Sequence, residues 1–333
     1  MQKKNPAKRR PERLVVTLLS LLFLSTAVFA TVKYVFRAPE LDTDKPVVTP
    51  DGTASTDADR TDMDEPDAPG RTRREYCYNI LVSGLDDDNG GSDTNILVRF
   101  DVPNKRIDLV SLPRDTLLHN EYRNNKLNFA YAKGGTELLM EQIENLLGIP
   151  VDFYVTVNLK GFIALVDQID GVDFDIPINM DYDDPYQDLH IHFTKGPRHL
   201  NGQEAMEVVR FRHNNDGTGY GTEDIGRIGT QQAFAKQLLQ IGNVKNIPAL
   251  VDIFYTYVKT DLTTGNLVWL GNEALNIGME NIHFATRPGD GSGYYKKQSV
   301  YVLDAQATCD LVNEALNPYN EALTLEDMDI LVP

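Results

Sequence analysis

One stretch near the amino end limits what this chain can become. Leu14 to Tyr34 is apolar apart from Thr17, Ser20, Ser25, Thr26, Thr31 and Lys33. That is about 20 residues, the length an α-helix needs to cross a hydrocarbon core of about 30 Å. Lys3, Lys4, Lys8, Arg9, Arg10 and Arg13 precede it, against the single acid Glu12. Basic flanks stay on the cytoplasmic side, so the amino end is expected inside and everything after Arg37 outside. The run has no polar face, which excludes an amphipathic core helix. A cleavable signal peptide is the rival, because Val28-Phe29-Ala30 offers a small-residue cleavage pattern. The run is longer than a signal core, and Tyr34 and Phe36 suit a membrane interface. Residues 1–13 are therefore read as a cytoplasmic tail and 14–36 as an uncleaved single-pass signal-anchor helix.

Residues 37–75 differ in kind. Pro39, Pro46, Pro50, Pro66 and Pro69 stand among Asp, Thr and Ala, with few large apolar residues. Such a segment buries too little surface to offset its ordering entropy, and a disordered acidic linker is expected, holding the next domain away from the membrane. The whole chain carries 32 basic against 49 acidic residues, a net charge of -17. That excludes a general nucleic-acid binder, which needs a basic footprint. Two cysteines exclude a disulfide-dense scaffold and any multi-cysteine metal site. Cys77 and Cys309 lie near opposite ends of the remaining chain, and whether they pair is left open by the sequence.

From Tyr76 to the end, strands and helices alternate. Strands are read at Tyr78–Ser83, Thr94–Asp101, Arg106–Ser111, Phe153–Val157, Val172–Ile176 and Ile282–Thr286. Helices are read at Gly135–Leu147, Leu159–Gln168, Asn201–Val209, Asp224–Ile241, 247–258, 264–277 and Asp304–Leu316. The expected fold class is α/β, a mixed β-sheet core covered by helices across residues 76–333.

Against this acidic background a few charged residues stand out by spacing. Arg210 and Arg212 flank Phe211, and an extended segment would put both guanidiniums on one face. They repel each other unless an anion lies between them, and phosphate suits their planar donors. Asp224, Arg227 and Gln231 share a helix face by their offsets, near a helix start that favours anions. Asp216-Gly217-Thr218-Gly219-Tyr220-Gly221 is a Gly-rich loop able to close over a ligand. Asp86, Asp87, Asp88 and Asp93 place four carboxylates in one loop between strands, a donor set for magnesium or calcium but not an EF-hand. Pro113-Arg114-Asp115 follows a strand end, where α/β folds place binding groups. His190 and His192 lie two apart with no third ligand evident, so a metal site is not expected there.

These pieces, in this order, resemble the LytR–CpsA–Psr family of membrane-anchored bacterial envelope proteins. The resemblance rests on Asn79-Ile80-Leu81-Val82-Ser83-Gly84-Leu85-Asp86, Ser92-Asp93-Thr94 and Val110-Ser111-Leu112-Pro113-Arg114-Asp115-Thr116. It continues through Lys126-Leu127-Asn128-Phe129-Ala130-Tyr131, Gly148-Ile149-Pro150-Val151-Asp152-Phe153-Tyr154, Leu200-Asn201-Gly202-Gln203-Glu204-Ala205 and Val209-Arg210-Phe211-Arg212. It spans residues 79–240. It implies transfer of a glycopolymer, such as teichoic acid or capsular polysaccharide, from a polyprenyl-pyrophosphate carrier onto peptidoglycan in a Gram-positive-type envelope. A phosphodiester forms to a sugar hydroxyl and polyprenyl phosphate leaves. Arg114, Lys126, Arg210, Arg212, Arg227 and Gln231 match the family's pyrophosphate clamp. Asp86 and Asp93 match its magnesium-binding and catalytic carboxylates, with either able to serve as the base, and Asp224 matches an acid orienting the arginines. Two positions depart from the pattern: Gly91 stands where the family usually has Arg, and Thr230 replaces another frequent Arg. Arg99 and Arg123 are the candidates to compensate.

The implied chemistry is sound from first principles. A bridging pyrophosphate oxygen leaves more easily when its developing charge meets arginines and a metal. A nearby carboxylate assists the attacking hydroxyl as base. The prenyl tail needs an apolar slot, which the sheet and the helices at 136–147 and 159–169 are placed to line, and membrane lipid is thus an expected partner. The other readings are a polyprenyl-pyrophosphate-binding protein with little turnover, motivated by Gly91, and an envelope-associated regulator acting through protein contacts.

Overall fold

The computed structural model describes residues 36–41, 71–86, 90–185, 189–220, 223–239 and 247–332. The apolar run Leu14–Tyr34 lies outside them, as does all of the expected anchor but Phe36 and most of the segment read as linker. Among the described residues no helix is long and apolar enough to cross a membrane.

The strands are β1 (Cys77–Asp86), β2 (Gly91–Asp101), β3 (Arg106–Leu112), β4 (Phe153–Asn158), β5 (Val172–Ile176), β6 (Met180–Asp184), β7 (Leu189–Phe193), β8 (Gly196–Leu200), β9 (Val258–Thr260), β10 (Ile282–Thr286), β11 (Gly289–Tyr295) and β12 (Gln298–Leu303). The helices are α1 (Leu127–Leu147), α2 (Leu159–Gln168), α3 (Gly202–Arg210), α4 (Glu223–Leu239), α5 (Ile247–Tyr257), α6 (Thr264–Ile277) and α7 (Ala305–Ala315). Six strands form the central sheet in the order β10-β3-β2-β1-β4-β9. β1, β3, β4 and β10 run in one direction, with β2 and β9 opposed to them. The expected mixed sheet is therefore present. Three two-stranded pairs, β5–β8, β6–β7 and β11–β12, lie outside it.

The central strands are apolar on both faces because both are covered. On one face Leu81, Leu97 and Val110 meet Leu139, Ile143, Leu146 and Leu147 of α1 and Val312 of α7. On the other, Tyr78, Ile80, Phe100 and Ile107 meet Leu270 and Ile277 of α6. Each fully buried leucine contributes about 2 kcal/mol of transfer free energy. A second core lies beside the sheet, where Val166, Phe174, Ile191, Val208, Phe211 and Phe234 join α2, α3, α4 and the small hairpins.

α1 begins earlier than the expected Gly135 start. It is broken at Gly134 (φ -137°, ψ 15°) and Gly135 (φ 68°, ψ -157°), and its first segment carries Asn128 and Phe129. Gly148 ends it in the left-handed conformation, its N–H donating to the Glu144 carbonyl.

The domain also starts earlier than residue 76. Arg71 pairs with Asp327, Arg73 with Asp152 and Arg74 with Asp101, so these arginines are part of the fold. Phe36–Leu41 lies against the domain as well. Pro39 is buried, the Asn266 amide donates to the Arg37 carbonyl at 3.0 Å, and the Tyr78 hydroxyl donates to the Pro39 carbonyl at 3.1 Å. Leu41 packs on the α6 side of the sheet. The two cysteines are free and buried. Burial, with the Asp101 charge adding to it, pushes the Cys77 thiol up to about 11.

Candidate active site

The carboxyl ends of β1, β3 and β4 point to one edge of the sheet, joined there by the start of β2. A cavity of about 490 Å³ opens at that edge, where open α/β sheets hold ligands. Asp93, Arg114, Arg210, Arg212, Arg227 and Gln231 all line it.

Asp93 reaches the cavity through a backbone irregularity. Gly84 pairs with Thr94 and Leu85 pairs with Ser92, so Asp93 is the extra residue of a β-bulge. A bulge re-aims a side chain that regular alternation would direct elsewhere. Its carboxylate accepts from Arg114 Nη1 at 2.5 Å. Burial opposes the charged form, but Arg114 by charge and hydrogen bond, then Arg227 and Arg212 by charge, hold the carboxyl below its ordinary range. Asp93 is thus ionised and sits within the field of three arginines.

The arginines arrive from separate elements. Arg114 follows the end of β3. Arg210 is the last residue of α3, so it is helical, which corrects the extended reading of 210–212. Phe211, fully buried at the helix end, turns the chain to an extended conformation (φ -58°, ψ 136°) and carries Arg212 to the same cavity. α3 starts firmly: Asn201 and Glu204 form a capping box. Arg227 and Gln231 come from one face of α4, and Arg227 is only 4% exposed. The Gln231 amide donates to the Val209 carbonyl at 3.1 Å, fastening α4 to the last turn of α3.

Other expected positions fall elsewhere. Lys126 stands at the N-cap position of α1 without a side-chain cap, pairs with Asp115 at 3.1 Å, and does not line the cavity. Asp86 ends β1 opposite Gly91, its backbone at the cavity edge; its side chain, and that of Asp224 in the first turn of α4, lie outside the described residues. Arg99 does not compensate for Gly91. It is buried, pairs with Asp108 at 2.7 Å, and stands six strand positions from Asp93, about 20 Å along β2. Arg123 is exposed and outside the lining. Thr230 is buried, hydrogen-bonded to the Tyr220 hydroxyl at 2.7 Å.

Sequence reasoning missed three lining contributors: Asn124 before α1, Asn128 in its first turn, and the β6–β7 hairpin, which supplies Tyr182, Asp184 and Leu189. The apolar part of the lining includes Leu85, Phe129, Ala132, Leu159 and Val209. Phe129 and Ala132 lie in the first segment of α1 and Leu159 opens α2, so the expected helix 136–147 serves the core instead.

A model of the LytR_cpsA_psr family matches residues 48–317. The chain is 36% identical over 157 residues to the polyisoprenyl-teichoic acid–peptidoglycan teichoic acid transferase TagV of Bacillus subtilis, covering 44% of this chain and 40% of that one. It is 31% identical over 240 residues to the transferase TagU of Bacillus cereus, covering 71% and 76%. The alignment with TagV thus spans less than half of that relative's length. The crystal structure of Bacillus subtilis TagV superposes with a TM-score of 0.60 at 27% identity, covering 78% of this chain and all of that one.

Proposed function

Because the chain belongs to the LytR–CpsA–Psr family, we propose that it is a phosphotransferase that moves a glycopolymer from a polyprenyl-pyrophosphate carrier onto peptidoglycan. The observation that carries this reading is the gathering of four arginines and Gln231 around one ionised carboxylate in a single cavity. In a chain of net charge -17, such a cavity selects for an anion that brings its own compensating charge. A pyrophosphate diester does so, and each charge-assisted hydrogen bond to it contributes about 1.5–3 kcal/mol.

In the proposed step an acceptor sugar hydroxyl oxygen attacks the phosphorus that bears the glycan. A new P–O bond forms, the bond to the bridging oxygen breaks, and polyprenyl phosphate leaves with the bonding electron pair. Arg210, Arg212 and Arg227 meet the charge that grows on the bridging and non-bridging oxygens. Arg114 holds Asp93 in place and faces the same anion. The hydroxyl proton passes to a carboxylate. Asp93 and Asp86 are the two carboxylates in question, and Asp93, held ionised below its usual range, is a weaker proton acceptor than an ordinary carboxylate. Carboxylate oxygens suit magnesium or a similar divalent cation, which Asp93 together with Asp86 would hold; such an ion, when bound, would neutralise phosphate charge. The apolar lining between Phe129, Ala132 and Leu159 is placed to take the first isoprene units.

The reading extends to location. The basic tail and the apolar run place the amino end in the cytoplasm and the domain outside, with the anchor ending at Phe36. Arg37–Leu41 then docks the domain directly beside the bilayer, where a membrane-held donor enters. Of the expected linker, residues 37–41 and 71–74 contact the domain, and residues 42–70 lie outside the described residues.

The test uses the full chain in nanodiscs with a polyprenyl-pyrophosphate disaccharide, peptidoglycan fragments and magnesium, read by mass spectrometry. A phosphodiester-linked product and free polyprenyl phosphate are expected, both falling at least about 100-fold in Arg210→Ala and Arg212→Ala. Tight donor binding without product across several donors would reduce the protein to a carrier-binding role.

A further inference from the structure

The β6–β7 hairpin carries a second constellation on its outer face. Its register pairs Asp183 with His190 and Asp181 with His192. All four side chains are exposed, while Met180, Leu189, Ile191 and Phe193 face the core. Asp183 Oδ1 lies 2.5 Å from His190 Nδ1 and 3.3 Å from His192 Nε2. One carboxylate oxygen therefore sits between two imidazole nitrogens from the facing strand, and donor atoms of the three residues lie within 4.8 Å of one another. The sequence spacing of His190 and His192 showed no third ligand; the cross-strand register supplies it.

We propose that Asp183, His190 and His192 form a binding site for a divalent transition-metal ion of the zinc class, separate from the cavity carboxylates. Donor chemistry sets the class: two imidazoles and one carboxylate suit zinc, cobalt or nickel, whereas magnesium and calcium favour oxygen alone. Spacing fits as well. Tetrahedral zinc with bonds of about 2.0–2.1 Å holds its donors about 3.3 Å apart. His192 and Asp183 already stand at 3.3 Å, and His190 has to draw back by only about 0.8 Å to reach the spacing of such a site.

The surroundings orient these ligands. Asp181 Oδ1 is 2.8 Å from His192 Nδ1, the carboxylate–histidine arrangement that fixes the tautomer and leaves Nε2 as the metal donor. Asn215 accepts from the Asp183 backbone N–H at 3.0 Å and donates to Asp183 Oδ2 at 3.3 Å, leaving Oδ1 toward the rings. A three-ligand site keeps a fourth position for water. The same hairpin gives Tyr182, Asp184 and Leu189 to the cavity wall, so an ion clasping its outer face stiffens one wall of the phosphate-binding cavity.

Titration calorimetry of the tag-free full chain with Zn2+ alone is the test. One ion per chain is expected, lost in His190→Gln and in His192→Gln, and retained in Asp93→Asn, which separates it from the cavity. Asp181→Asn is expected to weaken it about 10-fold or more. Cobalt substitution gives an independent readout, its visible absorption reporting imidazole coordination in the wild type and not in His192→Gln. Because the altered side chains are exposed, thermal melts of the metal-free variants should match the wild type. Binding that persists in both histidine variants, or that disappears with Asp93→Asn, overturns the proposal, as does absence of saturable zinc binding to the wild type. Hydrogen exchange on Met180–Asp184 and Leu189–Phe193 should slow with zinc, and unchanged exchange would sink the stiffening role.

Discussion

Gly91 shows how much one side chain decides at this site. It lines the cavity two positions before Asp93, and a Cβ built there meets nothing nearer than the Asn128 carbonyl at 3.9 Å. The position is therefore open, and Gly91→Arg should fold normally and add a guanidinium to the clamp. Donor affinity measured by calorimetry is expected to rise about 10-fold or more, the scale of one charge-assisted hydrogen bond. Asp93 makes a second prediction through its depressed pKa. A carboxyl lowered in the folded state stabilises fully above its unfolded value of about 3.9, and that share is lost as pH falls through the lower folded value. The stability difference between wild type and Asp93→Asn should thus stay flat from neutral pH to about pH 4 and shrink below it. In Arg114→Ala the folded value moves back toward the unfolded one, so the amount lost below pH 4 should be smaller, as denaturant titrations would show. Arg287 is a residue without a role so far: fully buried, its Nε, Nη1 and Nη2 without hydrogen-bond partners, and pushed by burial down to about 9.

Elements explain which parts of the site could be read in advance. Long periodic segments were legible, because the central strands and α7 bury simple apolar faces. Arg114, Arg227 and Gln231 were legible too, as they sit at a strand end and on a regular helix face. The bulge at Asp93 was not, since it exists only in the pairing of β1 with β2, and no single strand's pattern reveals a register shift. The same holds for the β6–β7 ladder, where His190 finds Asp183 across the strand. α1 was misjudged at its start because Gly134 and Gly135 look like a helix breaker, whereas they only redirect the helix. Gly135 occupies a backbone region open almost only to glycine, although nothing lies within 4 Å of an added Cβ. Gly135→Ala should cost about 1–3 kcal/mol through the backbone alone, lowering Tm by several degrees. Because Asn128 and Phe129 lie on the redirected segment, it should also weaken donor binding more than it slows bound-state turnover.

At the scale of the whole molecule, a chain of net charge -17 gathers four arginines around one cavity. The other global feature is the short stretch that follows Phe36. From Phe36 to the Pro39 carbonyl that Tyr78 grips is three residues, a reach of at most about 11 Å. The domain is therefore held at Phe36–Leu41 as well as at Arg71–Arg74, and residues 42–70 join two points already fixed on it. Shortening or doubling that stretch should change transfer in proteoliposomes by no more than about threefold, the scale of loop-closure entropy. Asn266→Ala with Tyr78→Phe, which unties the mooring, should make the rate depend on the length of 42–70. Six residues, Phe36–Leu41, thus fix the direction from which the chain arrives at the domain, through their contacts with Tyr78 and Asn266.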